Sequence, residues 1–80
     1  MELYIDSRID GAFKGWTGKS VYKFINGQIW VQKEYKYRYK YAYRPVAKIW
    51  KDGSTYFLEV DGMDDKIEVR RGTSSDLTEE

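Results

Sequence analysis

The chain has neither cysteine nor histidine among its 80 residues. Without cysteine there is no disulfide framework and no thiolate metal site, so the hydrophobic core alone must hold the fold. Without histidine the commonest general base and the usual zinc and haem ligands are missing, which removes most hydrolase mechanisms. We therefore expect a protein that is not an enzyme and that carries no metal and no cofactor.

Long apolar runs are also missing, and proline occurs once, at Pro45. No run approaches the length that spans a bilayer, and the first ten residues carry acids where a signal peptide is basic and then apolar. These features predict a cytoplasmic protein with no membrane partner. Eighty residues are too few for two cores. We expect one domain over residues 1–71 and a disordered acidic tail over residues 72–80, which has little to bury.

Two-residue alternation of apolar and polar residues recurs along the chain, whereas helical periodicity is weak. A first strand is expected over residues 8–16, interrupted by Gly11 and Gly15, where we expect a bulge or bend, and Pro45 marks a break between two later strands. The pattern predicts an all-β fold. A small five- to six-stranded barrel of the Src-homology-three type is the first choice and an OB-like barrel the second.

Two turn dipeptides, Asn26-Gly27 and Asp52-Gly53, predict hairpins with two-residue loops. Such loops place four pairs of apolar residues opposite each other on neighbouring strands: Phe24 with Ile29, Tyr22 with Val31, Ile49 with Tyr56 and Ala47 with Leu58. A last strand over residues 66–70 completes the set. The predicted core consists of Ile9, Phe13, Tyr22, Phe24, Ile29, Ala47, Ile49, Tyr56, Leu58, Val60, Ile67 and Val69.

The charges are unevenly placed although the formal net charge is only +1. Residues 33–51 hold seven Lys or Arg against one Glu, and from residue 52 onward nine acids stand against three bases. Asp61, Asp64 and Asp65 cluster there, but they lack the ligand spacing of a calcium loop, so we interpret them as a solvated turn. Residues 15–20 end in Gly-Lys-Ser, yet a phosphate loop would need glycine where Phe13 stands and a helix afterwards.

The most unusual segment is the alternation of tyrosine and cation over residues 35–44. As a strand it has an aromatic face and a basic face. Each tyrosine taken singly fits a core position with the cations in solvent. A straight strand from Gln28 to Tyr43 would however be about 50 Å long, whereas a globule of this size is on the order of 30 Å across. We therefore predict that at least two of the five rings are exposed.

Exposed tyrosines beside cations suit two classes of partner. Tyrosine and arginine are enriched in protein interfaces, and an extended strand can pair with a partner or with its own twin. Alternatively, the rings can stack on bases of single-stranded nucleic acid while the cations contact phosphates. We rank a protein-binding or self-associating module first and nucleic acid second. The candidate binding residues are Tyr35, Lys36, Tyr37, Arg38, Tyr39, Lys40, Tyr41, Tyr43 and Arg44.

Several motifs in order also carry a family resemblance: IDGAFKGWTG, NGQIWVQ, YKYAYRPVAKIW and LEVDGMDDKIEVRR. Over about residues 7–71 the chain resembles a family of small bacterial domains of unassigned function. The resemblance implies a compact β-barrel that occurs as a stand-alone protein or module, sometimes as mobile gene-cassette cargo, and it brings no catalytic residues. The chain departs from the family pattern in its acidic tail and at Val31, where the family has a more polar residue.

Overall fold

The computed structural model describes residues 1–18 and 20–73, and within them every regular element is a strand. The eight strands are β1 (Glu2–Arg8), β2 (Ala12–Thr17), β3 (Val21–Lys23), β4 (Ile29–Gln32), β5 (Tyr37–Tyr43), β6 (Val46–Asp52), β7 (Thr55–Val60) and β8 (Ile67–Arg71). The all-β prediction is confirmed. The described part of the chain contains no helix long and apolar enough to cross a membrane.

The strands form two antiparallel sheets. Six strands pair in the order β1-β6-β7-β8-β4-β3, and β2 pairs with β5 alone. The outer strands of the large sheet approach each other at one bridge, between Ile9 and Phe24, where the Ile25 N–H also donates to the Arg8 carbonyl at 3.0 Å. The sheets are not closed. Neither the Src-homology-three type barrel nor the OB-like barrel is therefore confirmed, and there are more strands than the predicted five or six.

One bent ribbon links the two sheets. β1 pairs with β6 and β2 with β5, and between these pairs the Ile9 N–H donates to the Pro45 carbonyl and the Arg44 N–H to the Gly11 carbonyl. At the bend Arg44 has a φ of 50°, the only positive φ of a non-glycine residue among those described. The predicted interruptions are confirmed, since the chain bends before β2 around Gly11 and the register shifts at Gly15. The predicted start at residue 8 is wrong, because a separate strand, β1, ends there and β2 begins only at Ala12.

The first hairpin forms around Asn26-Gly27 with a register one residue away from the prediction. The loop has three residues, since the Phe24 N–H donates to the Gln28 carbonyl and the Gly27 N–H to the Phe24 carbonyl, with a φ of 92° at Gly27. Tyr22 therefore lies opposite Trp30. A one-residue slip moves a whole strand to the other face, so Ile29 and Val31 lie on the face away from Tyr22 and Phe24.

The register of the second hairpin differs from the prediction by two residues, so each side chain stays on its predicted face of the sheet. Its loop is Gly53-Ser54, with a φ of 63° at Gly53, as expected for a type II′ turn. Ile49 consequently lies opposite Leu58, and Ala47 opposite Val60, in place of the predicted partners Tyr56 and Leu58. Because the side-chain period of a strand is two, the inward residues stay inward.

Eleven of the twelve predicted core residues are buried, and the twelfth, Tyr56, is half-buried against the core. Two fully buried rings, Trp16 and Trp30, were missing from the prediction. Gln32 is also buried, with its side-chain oxygen accepting from the Tyr22 hydroxyl at 3.2 Å. The core thus contains more aromatic surface than the alternation pattern indicated.

The end of the domain lies slightly beyond the predicted boundary at residue 71. The Gly72 N–H donates to the Ile29 carbonyl at 2.8 Å, which continues the pairing of β8 with β4. The rest of the predicted tail, from residue 74, lies outside the described residues.

Candidate interaction surface

Five tyrosines form one exposed surface, which we call the tyrosine face. Their exposed fractions are 75, 70, 71, 56 and 68 % for Tyr35, Tyr37, Tyr39, Tyr41 and Tyr43. The prediction that at least two of these rings are exposed is confirmed. The alternative, in which the tyrosines fill the core and the cations alone face solvent, is wrong.

The pairing of β5 with β2 decides which side of β5 faces the core. Directly opposed residues share a face of a sheet. The buried residues Phe13 and Trp16 of β2 lie opposite Ala42 and Arg38, so the even-numbered residues of β5 share the side of the ribbon that carries these two rings. On that side Ala42 packs against the core, while Arg38 and Lys40 extend past it and are exposed. The tyrosines lie opposite small residues of β2, namely Thr17 for Tyr37, Gly15 for Tyr39 and Ala12 for Tyr43. Phe13 and Trp16 already fill the space between the ribbon and the core, so the five tyrosines do not fit on that side.

Gly15 makes this arrangement possible. Its φ is 88°, and a Cβ at this position would lie 2.0 Å from the Arg38 carbonyl oxygen and 2.7 Å from the Lys40 nitrogen. The register shifts at this point, between Phe13 and Gly15. That shift lets Phe13 and Trp16, three residues apart, both reach the core.

The cations between the tyrosines contact the acidic loop, residues 61–65. Lys36 Nζ lies 2.8 Å from Asp65 Oδ2, and Arg38 Nη2 lies 3.3 Å from Asp64 Oδ2. The Lys40 side chain lies over Gly62: a Cβ atom added at Gly62 would be 3.0 Å from Lys40 Cε. The sequence pointed to both charge clusters but not to their contact. The reversal of charge at residue 52 was the signal that could have indicated it.

The acidic loop is also tied to the core through Trp16. The Trp16 indole N–H donates to Asp65 Oδ1 at 3.2 Å, and the same carboxylate accepts from Lys36. The hydrogen bond from Lys36, followed by that from Trp16, lowers the pKa of Asp65, and the bond to Asp65 raises the pKa of Lys36. The remaining candidate cation, Arg44, is exposed at the bend, where its carbonyl accepts from the Arg8 guanidinium.

The described residues contain no group of three or more acidic side chains placed to hold a metal ion. Within the acidic loop, Asp64 and Asp65 are directed to Arg38 and Lys36. The most perturbed titratable group described is Tyr22, whose pKa is raised to about 12 by burial. The Tyr22 hydroxyl group points into the core and donates towards two acceptors there, the Gly15 carbonyl and the Gln32 side-chain oxygen. Tyr22 therefore stabilises the fold and is not part of the exposed surface.

Comparison of the chain with protein-family models, with curated proteins and with solved structures found no match. The resemblance to small bacterial domains therefore remains a hypothesis carried by its motifs.

Proposed function

We propose that the chain is a non-enzymatic interaction module that binds a protein partner through the tyrosine face. One observation carries the proposal: four exposed tyrosines alternate along β5 and a fifth, Tyr35, is exposed just before it, while Lys36 and Arg38 between them are paired with acids. Contiguous exposed apolar surface of this kind is rare in monomeric proteins and marks interaction sites. Tyrosine supplies rigid contact area and a hydroxyl at low entropic cost, which suits it to interfaces.

Single-stranded nucleic acid is the second candidate. Rings such as Tyr37, Tyr39 and Tyr41 can stack on bases, which supports this alternative. Two of the four candidate cations are already paired, however, so a phosphate would have to displace Asp65 from Lys36 or Asp64 from Arg38 and would approach the acidic loop while doing so. Of the four, only Lys40 and Arg44 are exposed without such a pair among the described residues. Because cation contacts supply most of non-specific nucleic-acid affinity, this pairing favours the protein partner.

A capture experiment separates the two candidates. The wild-type chain and a triple variant, Tyr37→Ser with Tyr39→Ser and Tyr41→Ser, are immobilised and exposed to cell lysate with and without nuclease. The control variant is Ile25→Ser, which removes an exposed apolar side chain elsewhere. We expect protein capture that resists nuclease, survives in Ile25→Ser and is lost in the triple variant.

Two results would contradict the proposal. Capture that disappears after nuclease treatment, together with salt-dependent binding of single-stranded DNA by the isolated chain, would favour nucleic acid. Equal capture by the triple variant and the wild type would remove the tyrosine face from the function altogether.

We also propose the type of barrel, the family and the cellular location of the chain. We propose that the two open sheets form an incomplete barrel of the Src-homology-three type, bent along the ribbon that links them. The bacterial family, the occurrence as mobile gene-cassette cargo and the cytoplasmic location are proposed on the sequence motifs and composition described above.

A further inference from the structure

We infer that the partner of the tyrosine face is a second copy of this chain, bound through its own tyrosine face in a symmetric dimer. The inference rests on the proposed function and specifies its partner. A two-fold dimer uses the same patch on both subunits, so the patch must be complementary to itself.

The spacing of the tyrosines gives this self-complementarity. Alternate residues of a strand are separated by about 6.6 to 6.8 Å. Because apolar atoms in contact lie about 3.5 to 4.0 Å apart, the gap between two neighbouring rings accepts roughly one further ring. Within the described residues, the close ring pairs lie in the core or around Trp30, and none involves the tyrosine face. We therefore expect rings of a second copy, displaced by half a spacing, to enter the gaps between Tyr37 and Tyr39 and between Tyr41 and Tyr43, on either side of the register shift.

The exposed area is of the size that a stable dimer needs. A tyrosine contributes about 150 to 250 Å² when it is buried, so the five rings, each more than half exposed, present on the order of 700 Å². Each partner in a standard interface contributes about 800 Å². The small residues of β2 opposite the tyrosines extend the same surface, and Ala12 and Thr17 are exposed there.

The electrostatics permit two copies to meet at this face. The formal net charge of the chain is +1, so two copies repel each other weakly. Lys36 and Arg38 are paired with the acidic loop, and Ala12, Gly15 and Thr17 opposite the tyrosines are uncharged. Lys36 and Arg38 therefore add little net positive charge to the contact, and repulsion from the other exposed cations of the ribbon, Lys14, Lys40 and Arg44, is reduced by physiological salt.

Sedimentation velocity over a range of protein concentrations tests the inference. We expect the wild type to move from monomer to dimer as concentration rises. Tyr39→Ser, at the centre of the face, should raise the dimer Kd at least about tenfold, as for an interface hot spot. Tyr43→Ser, at its end, should have a smaller effect, and Ile25→Ser none.

The absence of native cysteine allows a second, independent measurement. Thr17→Cys, which keeps all five tyrosines and lies exposed opposite Tyr37, should be joined between two copies by a thiol-specific cross-linker that spans about 10 Å at concentrations where the wild type is dimeric, whereas Ile25→Cys should not be joined. A wild type that is monomeric throughout, or a dimer unaffected by Tyr39→Ser, would overturn the inference. If the chain is monomeric but the triple variant still loses protein capture, the proposed function stands and only the identity of the partner is wrong.

Discussion

The two faces of the β2–β5 ribbon use aromatic residues in opposite ways. The inner face carries Phe13 and Trp16, which are 2 and 0 % exposed, and Tyr22 of β3 closes over them with both rings in contact. The outer face carries the four tyrosines of β5, with Tyr35 just before the strand, and the least exposed of the five, Tyr41, is 56 % exposed. Residue type alone does not distinguish these roles, since Tyr22 and Tyr39 are the same amino acid. The pairing of the strands and the bend in the ribbon decide which aromatic side chains are buried and which are exposed.

The comparison predicts that substitutions on the inner face reduce stability, whereas substitutions on the outer face reduce association. Trp16→Ala should have the largest effect, because it empties a fully buried site and removes the indole donor to Asp65. We expect a loss of about 3 to 5 kcal/mol in the free energy of unfolding, measured by urea titration. Tyr39→Ala, measured as dilute protein, should change it by less than about 0.5 kcal/mol. Similar losses for both variants would contradict the distinction between the two faces.

Tyr22→Phe tests the inner face through its pH dependence. Burial raises the pKa of Tyr22 to about 12, above the value of about 10 in the unfolded chain. A raised pKa contributes stability that is present below about pH 10 and is lost as the pH rises towards 12. About 2 to 3 kcal/mol should be lost in the wild type over this window, and Tyr22→Phe should lack this component. An unchanged alkaline profile in Tyr22→Phe would show that Tyr22 is not buried as described.

Gly15→Ala tests the point where the two faces are separated. A Cβ here meets the backbone of Arg38 and Lys40, and a φ of 88° is unfavourable for alanine. We expect a loss of about 1 to 3 kcal/mol. The matched control is Gly27→Ala, whose φ of 92° is similarly unfavourable but whose Cβ would meet nothing within 4 Å. Thermal unfolding should show the larger loss for Gly15→Ala, and equal losses would mean that β5 does not approach Gly15 closely.

The sequence predicted the all-β class and most of the core because alternation and turn dipeptides are local signals, but it predicted five or six strands where there are eight. It placed both hairpin registers wrongly, since Gly27 and Gly53 each allow more than one loop geometry and the choice depends on pairing with distant strands. Trp16 was missed because the register shift at Gly15 breaks the two-residue period. The exposure of the tyrosine face followed from chain length, but the contact of Lys36 and Arg38 with the acidic loop is a tertiary feature that no local pattern contains.

The smallest expected change in stability is that of Asp65→Asn with Asp64→Asn, which removes the ion pairs of Lys36 and Arg38 with the acidic loop and leaves Lys36 only its 4.0 Å pair with Glu34. Exposed ion pairs contribute little to stability, so the melting temperature near neutral pH should hardly move. The lowered pKa of Asp65 contributes stability that is present above the unfolded pKa and is lost as the pH falls through the folded pKa, so the variant should lack this acid-dependent part.

The same double variant sharpens the choice between partners. Its freed cations should bind single-stranded DNA at low salt more tightly than the wild type does, measured by fluorescence anisotropy, and the affinity should fall as salt is raised. Strong DNA binding by the wild type, unchanged in the variant, would show that the acidic loop does not control these cations.

Chemical nitration of tyrosine, read out by mass spectrometry at two protein concentrations, measures both the exposure of the tyrosine face and its burial between two copies. In dilute protein the five rings of the tyrosine face should be nitrated readily, while Tyr22, 5 % exposed, should react only after unfolding. In concentrated protein Tyr37, Tyr39 and Tyr41 should become protected, while Tyr4, which is 45 % exposed on β1, keeps its reactivity. If the five rings resist nitration in dilute native protein as strongly as Tyr22 does, the tyrosine face is not exposed to solvent and cannot be the binding surface.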